Sequence, residues 1–429
     1  MILNRKLSAL LLICLYTYVN NPFYFAVITP LHKAFYYAIA VVPFFYAIYK
    51  GFHCEKNIST FSRFFLFYFI SIFLVMIFSF SLDFQYLSYF LRLMIGLCAT
   101  ISVFCIWKYS IRYDFVREDF LIIFIKSVAF YILGTTAFIL IPPLKSFWQL
   151  LIVDFNEQDF SDILEYVTRF GFAGFSGFGC AFLVTCASVV TCYLFLNDRI
   201  SLKQCKFYSL IFIIGSFYYG RIGFIVSIFT FGLFSLYLLF HKRPRLFLFY
   251  IFLLAFFIVL GFILYFAIPD IQPFVDWLLE PIFSYFENGK VESASTNQLK
   301  NMYKNFSPSD KTLLLGDGYW LGLDGNGYYG KTDVGFMRNV LYGGVFYSFL
   351  LYSLVAVFLF FLYSKLKQNK AKGSGILIFI MFVQFLLFEL KGDIAFLFLK
   401  NYIPIYLYLS HKNEVKNEMS ADFSCCSSL

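Results

Sequence analysis

Residues 207–240 read FYSLIFIIGSFYYG and then RIGFIVSIFTFGLFSLYLLF, with Arg221 as the one formally charged side chain. A helix at the surface of a water-soluble protein keeps a polar face, and this stretch has none. As a single helix it would be roughly 50 Å long at 1.5 Å per residue, far more than a hydrocarbon core of about 30 Å. As two helices it is a hairpin turning at Gly220-Arg221. The flanks decide between them. Arg199, Lys203 and Lys206 precede the stretch, and Lys242, Arg243 and Arg245 follow it. Short basic connections mark the cytoplasmic side of a membrane. Both flanks therefore share one side, an even number of crossings separates them, and Gly220-Arg221 is the outer tip of a tight hairpin.

The rest of the chain fits this frame. Of its 429 residues, 61% are hydrophobic and 14% charged, against about 45–50% and ~25% in soluble domains. That excludes a water-soluble enzyme and intrinsic disorder. The 63 Phe, 33 Tyr and 4 Trp are more apolar surface than one aqueous core can bury, so the bilayer must solvate much of it. The net charge of +9 then reads as cytoplasmic loops, not as a nucleic-acid surface.

The expected fold is an all-α polytopic membrane protein, one integral membrane domain over 1–429. Twelve apolar stretches qualify as spans: 8–29, 34–49, 60–82, 84–107, 119–142, 171–196, 203–219, 222–240, 246–268, 335–363, 374–390 and 394–410. With Arg5 and Lys6 inside, twelve crossings put every tight basic cluster inside, including Lys50 and Lys56, Lys108 to Arg117, Lys365 to Lys372, and Lys412 with Lys416. Both termini are then cytoplasmic. The first stretch has a basic start but no small-residue cleavage site, so it reads as a retained span. No internal repeat of 20–50 residues stands out.

Two outer loops result. The shorter, 143–170, carries Asp154, Glu157, Asp159, Asp162 and Glu165. The longer, 269–334, holds Asp270, Asp276, Glu280, Glu287, Glu292, Asp310, Asp317, Asp324 and Asp333, and the run from Gly316 to Gly330, GDGYWLGLDGNGYYG. Loops of that length in a compact protein are usually functional. Tyr and Trp with Asp and Asn are side chains that hold sugars, through flat apolar faces and hydrogen-bonding groups; a glycine-rich surface turn with interfacial aromatics is the plainer alternative. Neither loop contains any of the ten cysteines, so no disulfide framework holds the outer face. Cys180, Cys186 and Cys192 do not share a helical face, histidine is scarce, and neither metal nor cofactor is expected. Cys426-Ser-Ser-Leu429 has the outline of a prenylation box without its aliphatic residues.

Ionisable groups within spans are costly and are candidates for function. Arg92 and Lys126 lie inside the fourth and fifth stretches, as substrate contacts or as buried structural partners. Arg169 and Lys391 read as interfacial anchors. Glu389, Lys391 and Asp393 cluster at the last outer hairpin. Asp333, after Thr332, fits an N-cap and is compatible with chemistry as well. Arg221 and Arg338 lie at the outer membrane–water boundary, where the diphosphate of a lipid carrier would sit. A guanidinium grips phosphate oxygens in a fork and stays charged, and it can neutralise a diphosphate that departs with the bonding electrons.

With these features together, the chain resembles the Wzy-type O-antigen (oligosaccharide repeat-unit) polymerases. The resemblance rests on the span count with a late, long outer loop; on Tyr219-Gly220-Arg221-Ile-Gly-Phe224; and on Gly316-Asp-Gly318 followed by Asp333-Val-Gly-Phe-Met-Arg338 and Tyr342-Gly-Gly344. The topology covers the whole chain and the motifs only short parts of it. The resemblance implies the fold of membrane-bound lipid-linked glycosyltransferases and a bacterial inner-membrane location. It implies transfer of a growing saccharide from undecaprenyl diphosphate to a new undecaprenyl-diphosphate-linked oligosaccharide at the periplasmic face, without nucleotide sugar or metal. Membrane lipid and a chain-length regulator protein are the further partners it brings; nucleic acid is not one. The related O-antigen ligases have a histidine in the long outer loop. Here His32, His53, His241 and His411 all lie elsewhere, which favours a polymerase and leaves the general base open among Asp333, Asp317 and Glu389. Arg221, Arg338, Arg92, Lys126 and Tyr328 are the expected substrate contacts. A flippase for lipid-linked oligosaccharides is the alternative, since Arg92 and Lys126 suit a transporter, and a non-enzymatic scaffold is the third reading.

Overall fold

The apolar stretches are helices in the computed structural model, which describes residues 2–49, 56–79, 81, 83–152, 170–175, 177–241, 244–267, 276, 280, 283–290, 293–322 and 327–426. The helices are α1 (Ile2–Asn20), α2 (Thr29–Tyr49), α3 (Lys56–Ser79), α4 (Phe84–Arg112), α5 (Phe120–Leu140), α6 (Pro142–Leu151), α7 (Phe178–Leu196), α8 (Leu202–Tyr219), α9 (Arg221–Phe240), α10 (Pro244–Ala267), α11 (Ala294–Asn305), α12 (Asp310–Leu315), α13 (Gly335–Gln368), α14 (Ser374–Glu389) and α15 (Ala395–Cys426). A minimal antiparallel pair, β1 (Phe170–Gly171) and β2 (Gly174–Phe175), precedes α7. Each of the twelve apolar stretches contains helix, but the first, 8–29, is broken: α1 ends at Asn20, a short 3-10 turn follows at Ala26–Ile28 and α2 begins at Thr29. Among the described residues, six helical segments are long and apolar enough to cross a membrane: Ala26–Pro43, Phe84–Arg112, Phe120–Leu140, Phe178–Leu196, Arg221–Phe240 and Gly335–Gln368. The chain is a membrane-embedded helical protein.

Burial follows hydropathy in the manner of a bundle solvated by lipid. α7 is buried on every side from Cys180 to Leu196, as expected of a helix apolar all round. The outer helices turn large apolar side chains outward; Phe252 and Phe346 are 73% and 70% exposed. In water such a surface would drive association. Against lipid it costs nothing.

The stretch 207–240 is indeed broken. α8 stops at Tyr219, α9 starts at Arg221, and Gly220 between them has φ 147° and ψ 151°. Only glycine enters that conformation without steric cost, so the tightest turn falls where the sequence has its glycine.

The bundle's two ends differ in electrostatics. At the end opposite the long loop, basic side chains are matched by acids. Arg5 and Arg117 both pair with Asp114. Lys126 pairs with Glu118 at 2.8 Å, and Lys372 with Asp198 at 2.6 Å. Arg199 reaches Asp119 at 3.8 Å.

At the other end, α13 is interrupted. Gly344 has φ 72° and ψ −173° inside an otherwise helical run, so carbonyls one turn before it lose their helical donors. The long loop supplies replacements: the Asp317 amide donates to the Leu341 carbonyl at 2.7 Å, and the Gly318 amide to the Tyr342 carbonyl at 2.9 Å. A Cβ at Gly344 would lie 2.3 Å from the Leu314 oxygen. Gly316-Asp-Gly318 and Tyr342-Gly-Gly344 are thus the two halves of one main-chain joint.

Two expectations change. The loop 143–170 opens with α6, started by Pro142 and Pro143 at its first turn; its acids Asp154, Glu157, Asp159, Asp162 and Glu165, and Arg169, lie outside the described residues. So do Asp270, Glu292 and Asp324 of the long loop. Asp333 is not an N-cap: α13 begins at Gly335 with Val334 before it, and Thr332 Oγ1 accepts from the Val334 amide at 3.3 Å.

Candidate functional site

Four elements bring charged side chains to one place at the loop end of the bundle. α4 supplies Arg92, the start of α9 supplies Arg221, the first turn of α13 supplies Arg338, and the α14–α15 connection supplies Lys391 and Asp393. With Asp333 and Tyr328 of the long loop, these residues line a single cavity of about 780 Å³. That volume lies within the range of ligand pockets. Arg92 is eight residues beyond the start of α4, so the cavity reaches roughly 12 Å down that helix.

Arg338 is the most confined of the cations. It is 8% exposed, and its guanidinium carbon lies 3.7 Å from the ring centroids of both Trp320 and Tyr328. The loop is folded to make this clamp. Leu321 and Tyr328 form a bridge, the Gly322 amide donates to the Gly327 carbonyl at 3.1 Å, and the Tyr329 amide donates to the Trp320 carbonyl at 3.3 Å. The loop is also tied to the α3–α4 turn, where Ser81 donates to the Gly318 carbonyl and Asp83 accepts from the Trp320 amide, both at 2.9 Å. Two rings hold the guanidinium by cation–π contact and fix its plane. Its Nε and Nη2 are buried with no hydrogen-bond partner among the described residues. A buried donor without an acceptor is expensive, and here the cavity is where an acceptor can come from.

Arg221 is mostly buried and pairs with Glu280 of the long loop at 2.8 Å. Arg92 makes no ion pair among the described residues. The cavity wall therefore carries four cationic side chains against two carboxylates, and its field favours anions. Burial raises the Asp333 carboxyl above the usual carboxylate range, while nearby Lys391 and Arg338 act against it. Burial also raises Asp393, with Arg338 again opposing.

Three of the expected residues lie away from the cavity. Asp317 accepts from Thr312 Oγ1 at 2.9 Å and from Tyr329 Oη at 3.1 Å, which locks the loop behind the clamp. Glu389 accepts from Tyr352 Oη at 2.9 Å, Asn339 Nδ2 at 3.3 Å and the Ile394 amide at 3.0 Å. It braces the turn that presents Lys391 and Asp393. Lys126 sits at the far end of the bundle on Glu118. It is six residues into α5, close enough to that end for its flexible stem to reach the acid.

Sequence reasoning did not find the role of Trp320, nor Tyr89, Gln85, Ser88 and Ser295, which also line the cavity. The Arg221–Glu280 pair was equally hidden, since nothing local connects residues so far apart. Comparison of the chain with protein-family models, with curated proteins and with solved structures finds no match in any of the three.

Proposed function

We propose that this protein polymerises oligosaccharide repeat units carried on undecaprenyl diphosphate, with the arginine cavity at the periplasmic face of a bacterial inner membrane. The observation that carries the reading is Arg338: a guanidinium held flat between two rings, with buried donors awaiting an acceptor, at the boundary end of a membrane bundle. A diphosphate supplies several anionic oxygens in the fork geometry that arginine favours. Arg221, Arg92 and Lys391 surround the same space.

In the reaction, the hydroxyl oxygen of the incoming unit forms a bond to the anomeric carbon of the donor saccharide. The bond from that carbon to the diphosphate oxygen breaks, and its electrons leave with undecaprenyl diphosphate. Arg338 and Arg221 stabilise the charge on the leaving group. The hydroxyl proton passes to Asp333, the one carboxylate of the three candidates that lines the cavity. A carboxyl raised above its ordinary range is better matched to proton abstraction near neutral pH. Asp317 and Glu389 serve as positioning residues, through the loop joint and the α14–α15 turn.

The basic clusters that share the far end of the bundle support a cytoplasmic assignment for that end, with twelve crossings and both termini inside. The flippase alternative drew on the twelve spans and on Arg92 and Lys126 as intramembrane cations; Lys126 pairs with Glu118 and does not line the cavity with Arg92, which weakens that alternative. The deciding experiment compares surface polysaccharide on a gel with and without the gene. Collapse of the ladder to one repeat unit on a capped core supports polymerase; loss of all O-units with lipid-linked units retained inside supports flippase; an unchanged ladder overturns both.

A further inference from the structure

A second cleft, of about 660 Å³, lies beside the arginine cavity and is unlike it chemically. α11 lines one wall with Asn297, Gln298, Asn301 and Asn305, while Phe306 and Lys331 stand among the residues that complete the lining. Asn297, Asn301 and Asn305 follow one another at four-residue intervals and so share a helical face. Asparagine is a poor helix former, so three of them on one exposed face are not there for helix stability. None of these four side-chain amides makes a hydrogen bond among the described residues. Among the described residues the lining has no carboxylate, although the loop around it is rich in them. α11 is anchored from its other side, where Tyr303 donates to the Leu390 carbonyl at 3.2 Å and packs on the Phe336 ring.

The cleft and the cavity share their partition. Tyr328 and Asp333 line the cavity, and Gly330, Lys331 and Thr332 between them line the cleft; on α11, Ser295 faces the cavity and Asn297 the cleft. A ligand anchored by an anion at Arg338 would therefore meet the amide face within one short step of chain.

Free carboxamides offer a donor and an acceptor together, which matches hydroxyl groups that are both. An aromatic ring beside them suits the C–H face of a sugar ring. We infer that this cleft is a saccharide subsite, which holds the hydroxyl-rich chain of the donor whose diphosphate occupies the arginine cavity. The inference rests on the diphosphate reading of that cavity, yet the two are separable by experiment.

Full-length protein in detergent is titrated with two probes. One is lipid-free fragments of the host's own surface polysaccharide, two to three repeat units long; the other is farnesyl diphosphate. The proteins are wild type, Asn297→Ala/Asn301→Ala/Asn305→Ala, Asn301→Trp as a steric block, and Arg338→Ala, each checked for an unchanged melting temperature. The expected result is at least tenfold weaker fragment binding in the triple variant and in Asn301→Trp, with Arg338→Ala binding fragments like wild type. Both cleft variants should retain farnesyl diphosphate. Fragments that bind the cleft variants as tightly as wild type, or that fail to bind wild type, overturn the saccharide subsite. Failure of farnesyl diphosphate to bind wild type instead overturns the reading of the arginine cavity.

Discussion

The Arg338 guanidinium lies 3.7 Å from the Trp320 ring centroid, and this contact joins the long loop to the helix that follows it. With Tyr328 on its other face, the cation is held in plane. Arg338→Lys keeps the charge but loses the planar fork and both flat contacts. Arg338→Ala and Arg338→Lys should both weaken farnesyl diphosphate binding, by roughly ten- to hundredfold for Ala if one or two charge-assisted bonds are lost. Titration calorimetry on purified protein tests this. Wild-type affinity in the alanine variant would remove Arg338 from the anion site.

Glu280 occupies Arg221 in this structure at 2.8 Å. An anionic ligand must share or displace that carboxylate. Glu280→Gln should therefore tighten farnesyl diphosphate binding several-fold and increase its salt dependence. A weaker or unchanged Kd would show that the pair orders the loop and does not compete with ligand.

Asp333 carries a raised carboxyl through burial. As the proton acceptor it must be ionised, so turnover should rise with pH through that raised value, and its acid limb should lie above the ordinary carboxylate range. In Asp333→Asn the limb should vanish with most of the activity. A variant that retains the acid limb would move the base elsewhere, to Asp393 first.

Gly344→Ala tests the main-chain joint. The positive φ alone costs a non-glycine residue about 1–3 kcal/mol, and the Leu314 oxygen leaves no room for the added carbon. A lowered melting temperature and loss of anion binding are expected together. Unchanged values would mean that the joint relaxes freely.

Lys126→Met provides the contrast. Its pair with Glu118 is about one-third exposed on each side, and such pairs contribute about 0–1 kcal/mol. The polysaccharide ladder should match wild type. A shortened ladder would bring Lys126 back into the mechanism.

Hydropathy and charge made the apolar helices legible, because spans depend on local composition, whereas α6, α11 and α12 inside the outer loops were not. They also located Gly220 as a break, since the basic flanks at 199–206 and 242–245 require it. Arg92, Arg221 and Arg338 were legible as costly or boundary-placed side chains, Tyr328 as an aromatic of the glycine-rich run and Asp333 as a carboxylate beside the helix start, and all five line one cavity. The fates of Asp317, Glu389 and Lys126 were not legible. Whether an acid faces a cavity or braces a turn depends on partners such as Tyr329 and Tyr352, and no local pattern encodes these. The Trp320–Arg338–Tyr328 stack was hidden for the same reason: it requires a loop to fold back on a helix that has not yet begun.

The joint between Asp317-Gly318 and Leu341-Tyr342 is made by peptide groups alone. Peptide groups are the same whatever side chain they carry. The loop can thus exchange most of its side chains over evolutionary time while its seat on the bundle stays fixed, provided the glycine at the helix break persists. If the cleft is the saccharide subsite we infer, drift across α11 changes which saccharides it accepts and leaves the proposed anion end of the site untouched.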